Sequence, residues 1–276
     1  MNKLKMMAYE GLIRRFALSH SYFPFVLKGS FLTRQYFPKH IHRMPIDLDW
    51  VCLKPLLDKR GVQDHLNDWM NYLTTVQLDD GLRYEVFPID SYWWELDYVM
   101  PEDFPTVSTA FHAWVNEQMV EIEVDVSFNL DVSDSKLNLN YQPLVGPSFK
   151  LKQTPSLATQ IAWKLHQCIV NPRYKDIFDL TWLLQHAEFK ENIDAQFKTI
   201  EVLNSECHRD EIVLTEYLRK NQLIFAEARR KLSRHWDIER NNFNFVDLQD
   251  IPKDFNTFWN QFTFALIQTD LLDLID

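Results

Sequence analysis

The sequence predicts an α+β fold: a mixed β-sheet with flanking helices over residues 1–150, then a helical half over residues 151–276. Three observations predict it. The segments "IDLDWVCL" (46–53) and "MVEIEVDVSF" (119–128) alternate apolar and polar residues with the period of two of a half-buried strand. Beyond the Pro- and Gly-bearing stretch "PLVGPSFKLKQTP", alternation gives way to helical spacing. Apolar residues make up 46% of the 276-residue chain and nine are Trp, enough for a packed core.

The elements follow in order. Leu4, Met7, Leu12, Ile13, Phe16 and Ala17 recur at helical spacing and predict an amphipathic helix over 3–19. The apolar run 24–27 ends at Gly29-Ser30, and a short helix over about 31–37 follows. In the 46–53 strand, Ile46, Leu48, Trp50 and Cys52 share one face, and Asp47, Asp49 and Val51 the other. A helix over 62–74 and strands over 83–88, 92–99 and 107–115 lead to the 119–128 strand. There Val120, Ile122, Val124, Val126 and Phe128 take one face, and Glu121, Glu123, Asp125 and Ser127 the other. Thr154-Pro155 has the form of an N-cap followed by proline at the first helical position. Helices are expected over 155–170, 174–187, 191–208, 210–233 and 254–272.

Several function classes are excluded. With five Gly, the chain has no GxGxxG, no GxxxxGK[ST] and no GxSxG, against dinucleotide, P-loop and α/β-hydrolase chemistry. Three scattered cysteines and no CxxC fit reduced thiols rather than zinc. The N-terminus lacks a secretion signal and no run of apolar residues is long enough to span a bilayer, so a cytoplasmic protein with no membrane partner is expected. The net charge of −10 is uneven: residues 1–46 carry +7 and the remainder −17. An acidic chain is a poor nonspecific nucleic-acid binder, but a basic N-terminal segment can hold phosphates locally.

The candidate site begins at Asp47 and Asp49. On a strand, i and i+2 side chains point the same way, about 6.6 Å apart. Two such carboxylates can share divalent cations in the arrangement used for in-line nucleotidyl displacement, although an isolated D-x-D also fits an exposed strand face. Asp125 joins them if its strand lies beside 46–53, as a third ligand or a base for the attacking hydroxyl. Gly29-Ser30, at the start of a helix, can offer free amides to phosphate, with Lys28 adjacent. Lys164 lies at the flank of the 155–170 apolar stripe, where it can either reach a triphosphate or snorkel. Asp176 and Asp179 share one side of the next helix, with a Lys175–Asp179 ion pair as the plain alternative.

Four blocks in order, "FVLKGSFLTRQYF", "RMPIDLDW", "EIEVDVSF" and "IAWKLHQCIVNPRYKDIFDLTWLL", resemble the motifs of the abortive-infection nucleotidyltransferase toxins (AbiEii/AbiGii type), within the DNA polymerase β-like nucleotidyltransferase superfamily. The resemblance spans about residues 20–190. It implies a nucleotidyltransferase-type sheet bearing the carboxylates and a helical domain closing the cleft. It also implies Mg²⁺ or Mn²⁺ as cofactor, an NTP substrate, an acceptor that can be tRNA, and a cognate antitoxin. By position, Asp47, Asp49 and Asp125 would be the catalytic metal ligands. Lys28, Gly29, Ser30, Arg43, Lys164, Asp176 and Asp179 would serve the nucleotide. The chain departs from the family pattern at Pro45, where a small hydroxyl residue is usual, and at Lys175-Asp176, where Arg-Asp is usual. A small-molecule nucleotidyltransferase and a non-catalytic NTP-binding module are the competing readings.

Overall fold

The computed structural model describes residues 3–19, 23–54, 59–87, 93–95, 106–130, 132, 137–215 and 225–274. The chain divides into two compact units, Met1–Gln35 with Pro45–Pro155, and Tyr36–Met44 with Ser156–Asp276.

The first unit is built on a mixed sheet. Its elements are α1 (Lys3–Ser19), β1 (Phe25–Leu27), α2 (Gly29–Thr33), β2 (Leu48–Cys52), α3 (Lys59–Thr75), β3 (Leu82–Tyr84), β4 (Trp94–Glu95), β5 (Thr106–Val115), β6 (Gln118–Ser127), β7 (Leu137–Tyr141) and β8 (Phe149–Thr154). The strand order is β1-β2-β6-β5-β3, with β4 also pairing β5 and with β7–β8 forming a separate hairpin. Asn116 and Glu117, both at positive φ, close β5–β6 with a two-residue turn whose twist matches the strands. β2 and β6 run parallel, and every other pair is antiparallel. The apolar stripe of α1 packs on the sheet, and Phe16, Phe25, Trp50 and Trp69 interlock in edge-on and stacked contacts.

The second unit holds α4 (Leu157–Val170), α5 (Tyr174–Leu183), α6 (Ala187–Lys190), α7 (Ile193–Arg209), α8 (Ala226–Ser233), α9 (Trp236–Glu239) and α10 (Phe255–Ile267). Its core includes Ile161, Leu165, Ile177, Leu180, Leu203, Phe258 and Phe262. The segment 36–44 packs into this unit through Phe37 against Phe178 and His40 against Trp182.

Several expectations are corrected. The predicted 46–53 strand begins at Leu48, because the Ile46 carbonyl accepts from the Tyr9 hydroxyl instead of entering the ladder. The 83–88 strand shrinks to Leu82–Tyr84, and only Trp94–Glu95 of the 92–99 strand falls within the described residues. The "PLVGPSFKLKQTP" stretch forms the turn and second strand of the β7–β8 hairpin. Thr154 therefore ends a strand, and Ser156 caps α4 by accepting from the Thr159 amide. The helix expected over 210–233 is not continuous, since Glu211 and Phe225 adopt left-handed backbone; residues 216–224 lie outside those described.

Candidate active site

The parallel pairing of β2 with β6 sets Asp49 directly across from Asp125. Asp47 stands in the bend just ahead of β2. One carboxylate oxygen from each of Asp47, Asp49 and Asp125 lies within 4.8 Å of the other two, and all three residues are half-buried. β5 contributes Ser108, which pairs with Asp125 across the sheet and donates a short hydrogen bond to its Oδ1.

Three carboxylates this close repel one another. Burial pushes the Asp125 carboxyl up to about 6; the Ser108 hydrogen bond opposes this, Asp49 and Asp47 add to it, and Lys28 opposes it. The donor set is all hard oxygen, the chemistry that Mg²⁺ and Mn²⁺ prefer, and a divalent cation would cancel the repulsion. The residues present fit such an ion.

Gly29 completes the arrangement. Its φ is +70°, and a Cβ there would meet Asp49 Oδ2 at 2.0 Å, Cγ at 2.7 Å and Cβ at 2.9 Å. Only glycine lets the Asp49 side chain lie against the backbone at the start of α2. The Lys28 amide donates to the Asp49 carbonyl at 2.9 Å, tying that turn to β2. Ser30 is buried behind it.

Sequence reasoning missed Tyr9, a buried α1 aromatic. Its hydroxyl donates to the Ile46 carbonyl at 3.2 Å and accepts from the Glu123 amide at 3.0 Å. It thus bridges the two strands just ahead of their first paired residues, beside Asp47 and Asp125. Burial raises its pKa far enough to keep it protonated, with Glu123, Asp47 and Asp125 adding to the rise.

The other predicted residues gather within the helical unit. Arg43 Nε donates to Asp179 Oδ1 at 2.8 Å, and Arg43 Nη1 donates to the Met44 carbonyl at 2.8 Å. Lys164 Nζ reaches Asp179 Oδ2 at 2.7 Å and Asp176 Oδ1 at 3.2 Å, and Arg173 Nε reaches Asp176 Oδ2 at 2.6 Å. Asp179 is ion-paired with Arg43 and Lys164, in place of the Lys175 pair that the plain alternative expected. Asp176 and Asp179 are fully buried, and Lys164 nearly so. Burial raises the Asp176 carboxyl, but Arg173 and Lys164 outweigh it and hold it well below the carboxylate range. Burial lowers the Lys164 ammonium, but Asp179 and Asp176 outweigh it and raise it above its ordinary value. Three cations face two carboxylates, leaving the cluster one positive charge in excess. Among the described residues, Asp47, Asp49 and Asp125 form the group of three or more His, Cys, Asp or Glu side chains close enough to share a metal ion.

A mixed sheet that brings three aspartates together beside a glycine turn, joined in the chain to a helical half, defines the class: a nucleotidyltransferase. The family model described as "Nucleotidyl transferase AbiEii toxin, Type IV TA system" matches residues 12–261, and the chain belongs to that family. Family membership carries an NTP substrate and an antitoxin with it. Two solved structures share the fold. JHP933 from Helicobacter pylori is 15% identical with a TM-score of 0.57, covering 99% of this chain and 95% of its own. MenT4, a nucleotidyltransferase toxin from Mycobacterium tuberculosis H37Rv, is 10% identical with a TM-score of 0.52, covering 98% of this chain and 86% of its own. No curated protein matches the sequence. No helix among the described residues is long and apolar enough to cross a membrane.

Proposed function

We propose that this toxin transfers a nucleoside monophosphate from an NTP to an acceptor hydroxyl on RNA, with tRNA the favoured acceptor, and that it depends on Mg²⁺ or Mn²⁺. The observation that carries this reading is the convergence of Asp47, Asp49 and Asp125, one carboxylate oxygen of each lying within 4.8 Å of the other two. These three residues would hold the metal. When bound, a divalent cation makes an acceptor hydroxyl easier to deprotonate and offsets charge on the phosphates.

The chain's own residues supply the rest. The bare backbone at Gly29 and the amide of Ser30 receive the triphosphate, and Lys28 adds a positive charge beside it. Asp125, beside the other two carboxylates, would orient or deprotonate the attacking hydroxyl. Ser108 orients that carboxylate. Within the helical unit Asp176 and Asp179 keep Lys164 charged. Arg43 fixes Asp179 and so fixes the lysine.

The test is label transfer. Wild type and an Asp47→Ala/Asp49→Ala variant are incubated with total tRNA and each α-labelled NTP in turn, with Mg²⁺ or Mn²⁺. Label entering tRNA with wild type alone is expected, and the NTP that labels names the nucleotide. Pyrophosphate release that requires a small hydroxylated acceptor, with tRNA unlabelled, would instead assign a small-molecule substrate.

A further inference from the structure

The helical unit carries a concentration of positive charge that the nucleotide chemistry does not use. Between Ala228 and Trp236 the chain holds Arg229, Arg230, Lys231 and Arg234 and no acid, in a protein whose net charge is −10. Ala228, Leu232 and Trp236 are buried, whereas all four cations are exposed, Arg229 with a hydrogen bond to Asn256.

A second basic element is pinned to this one. The Tyr174 hydroxyl donates to the Leu232 carbonyl at 2.6 Å, and Lys231 Nζ donates to Asn171 Oδ1 at 3.1 Å. These contacts hold the α4–α5 turn against α8 and bring Arg173 and Lys175 with it. Arg173 spends one edge on buried Asp176 and remains 40% exposed. The acids nearby are Glu227, 3.5 Å from Arg230, exposed Asp237 just after Trp236, and Glu239, which faces Tyr174.

The helix dipole favours cations in a last turn and accounts for Arg230 and Lys231. It accounts neither for Arg229, nor for Arg234 beyond the helix end, nor for the basic turn beside them. Like charges gathered this closely repel until a polyanion neutralises them. Four of the six are arginines, whose planar fork matches phosphate oxygens two at a time. We infer that α8 and the α4–α5 turn form the surface on which the phosphate backbone of the acceptor RNA docks. The inference rests on the proposal that the acceptor is RNA.

The experiment uses the full chain and fluorescently labelled total tRNA, with binding followed by anisotropy across a salt series. An Arg230→Gln/Lys231→Gln/Arg234→Gln variant is compared with wild type and with a Lys150→Gln/Lys152→Gln/Lys190→Gln control that removes the same charge from exposed positions on β8 and α6. Loss of three phosphate contacts lowers the slope of log K against log salt by about two to three, and weakens binding about tenfold or more. The control keeps both near wild type. Label transfer to tRNA falls with binding in the α8 variant, whereas an Asp47→Ala/Asp49→Ala variant binds tRNA and transfers nothing. Unchanged affinity and slope in the α8 variant, or an equal fall in the control, overturns the docking surface and leaves RNA as the acceptor. Wild type that binds no tRNA overturns it too, and label found only in a non-RNA acceptor marks the failure of the RNA reading itself.

Discussion

The two units each gather aspartates, and they treat them in opposite ways. In the helical unit, Asp176 and Asp179 are fully buried and meet Arg43, Lys164 and Arg173 within hydrogen-bonding distance. Both carboxylates are matched by cations of the unit, and Asp176 stays ionised well below its ordinary range. In the sheet unit, Asp47, Asp49 and Asp125 are half-buried and meet one another, and the Asp125 carboxyl rises to about 6. The first group is a closed ionic lock, complete without a ligand. The second is a set of three neighbouring carboxylates, whose mutual repulsion the proposed divalent cation would relieve. The contrast is one of neighbours: cations of the protein surround one pair of aspartates, and carboxylates face carboxylates in the other group.

The largest expected effect attacks the closed cluster. Asp179→Ala leaves Arg43 and Lys164 buried without their shared carboxylate, and chemical denaturation should show a loss of about 3–5 kcal/mol. Asp49→Asn, in the open cluster, should have the opposite profile. It relieves repulsion, so the melting temperature in EDTA holds or rises, while transfer falls by about a hundredfold or more, a loss typical for removal of a group that stabilises developing charge. Equal destabilisation by both variants would erase the distinction.

Gly29→Ala sharpens the comparison from the backbone side. The new methyl must displace the Asp49 side chain, and alanine at φ +70° costs about 1–2 kcal/mol. Divalent-ion binding and transfer should fall together, well beyond the change in melting temperature. Tyr9→Phe removes the hydroxyl that joins Ile46 to Glu123. Removing these two part-buried hydrogen bonds should cost about 1–2 kcal/mol. If the bridge also positions the aspartates, kcat falls more than the KM for NTP rises; a variant with lowered stability and unchanged kcat would reduce Tyr9 to a packing residue.

The smallest effect is a pH dependence. The Asp125 pKa is raised on folding, so the unfolded chain releases this proton first as pH rises. Metal-free protein should therefore lose stability between the ordinary carboxylate value of 3.8 and about 6, and level off above. Asp125→Asn should flatten that window in thermal melts, and the stabilisation given by Mn²⁺ should fade as pH drops through about 6.

Much of this was legible in the sequence because period-two alternation survives in one dimension. It placed Asp47 with Asp49, and Asp125 on the polar face of its own strand. It could not show that β2 and β6 run parallel with Asp49 opposite Asp125, which is a long-range register. Gly29 looked like a helix-start turn, whereas its tightest constraint is the side chain of a residue 20 positions later. Tyr9 carried no signal, since a buried tyrosine among the apolar residues of α1 looks like packing until its hydroxyl is located. The i, i+3 spacing put Asp176 and Asp179 on one helix face, but Arg43 joins them across 136 residues. The β7–β8 hairpin was hidden because Pro and Gly in its turn resemble a linker. The helix expected over 210–233 failed where Glu211 and Phe225 take left-handed backbone that no residue preference announces.

The central claim, that the open aspartate cluster exists to take a divalent cation, is tested most directly by Mn²⁺ titration calorimetry on wild type and Asp49→Asn, with label transfer measured in parallel in EDTA. The account predicts saturable Mn²⁺ binding by wild type, its loss in the variant, and no transfer in EDTA. Undiminished binding by Asp49→Asn, or full transfer without a divalent ion, would contradict it.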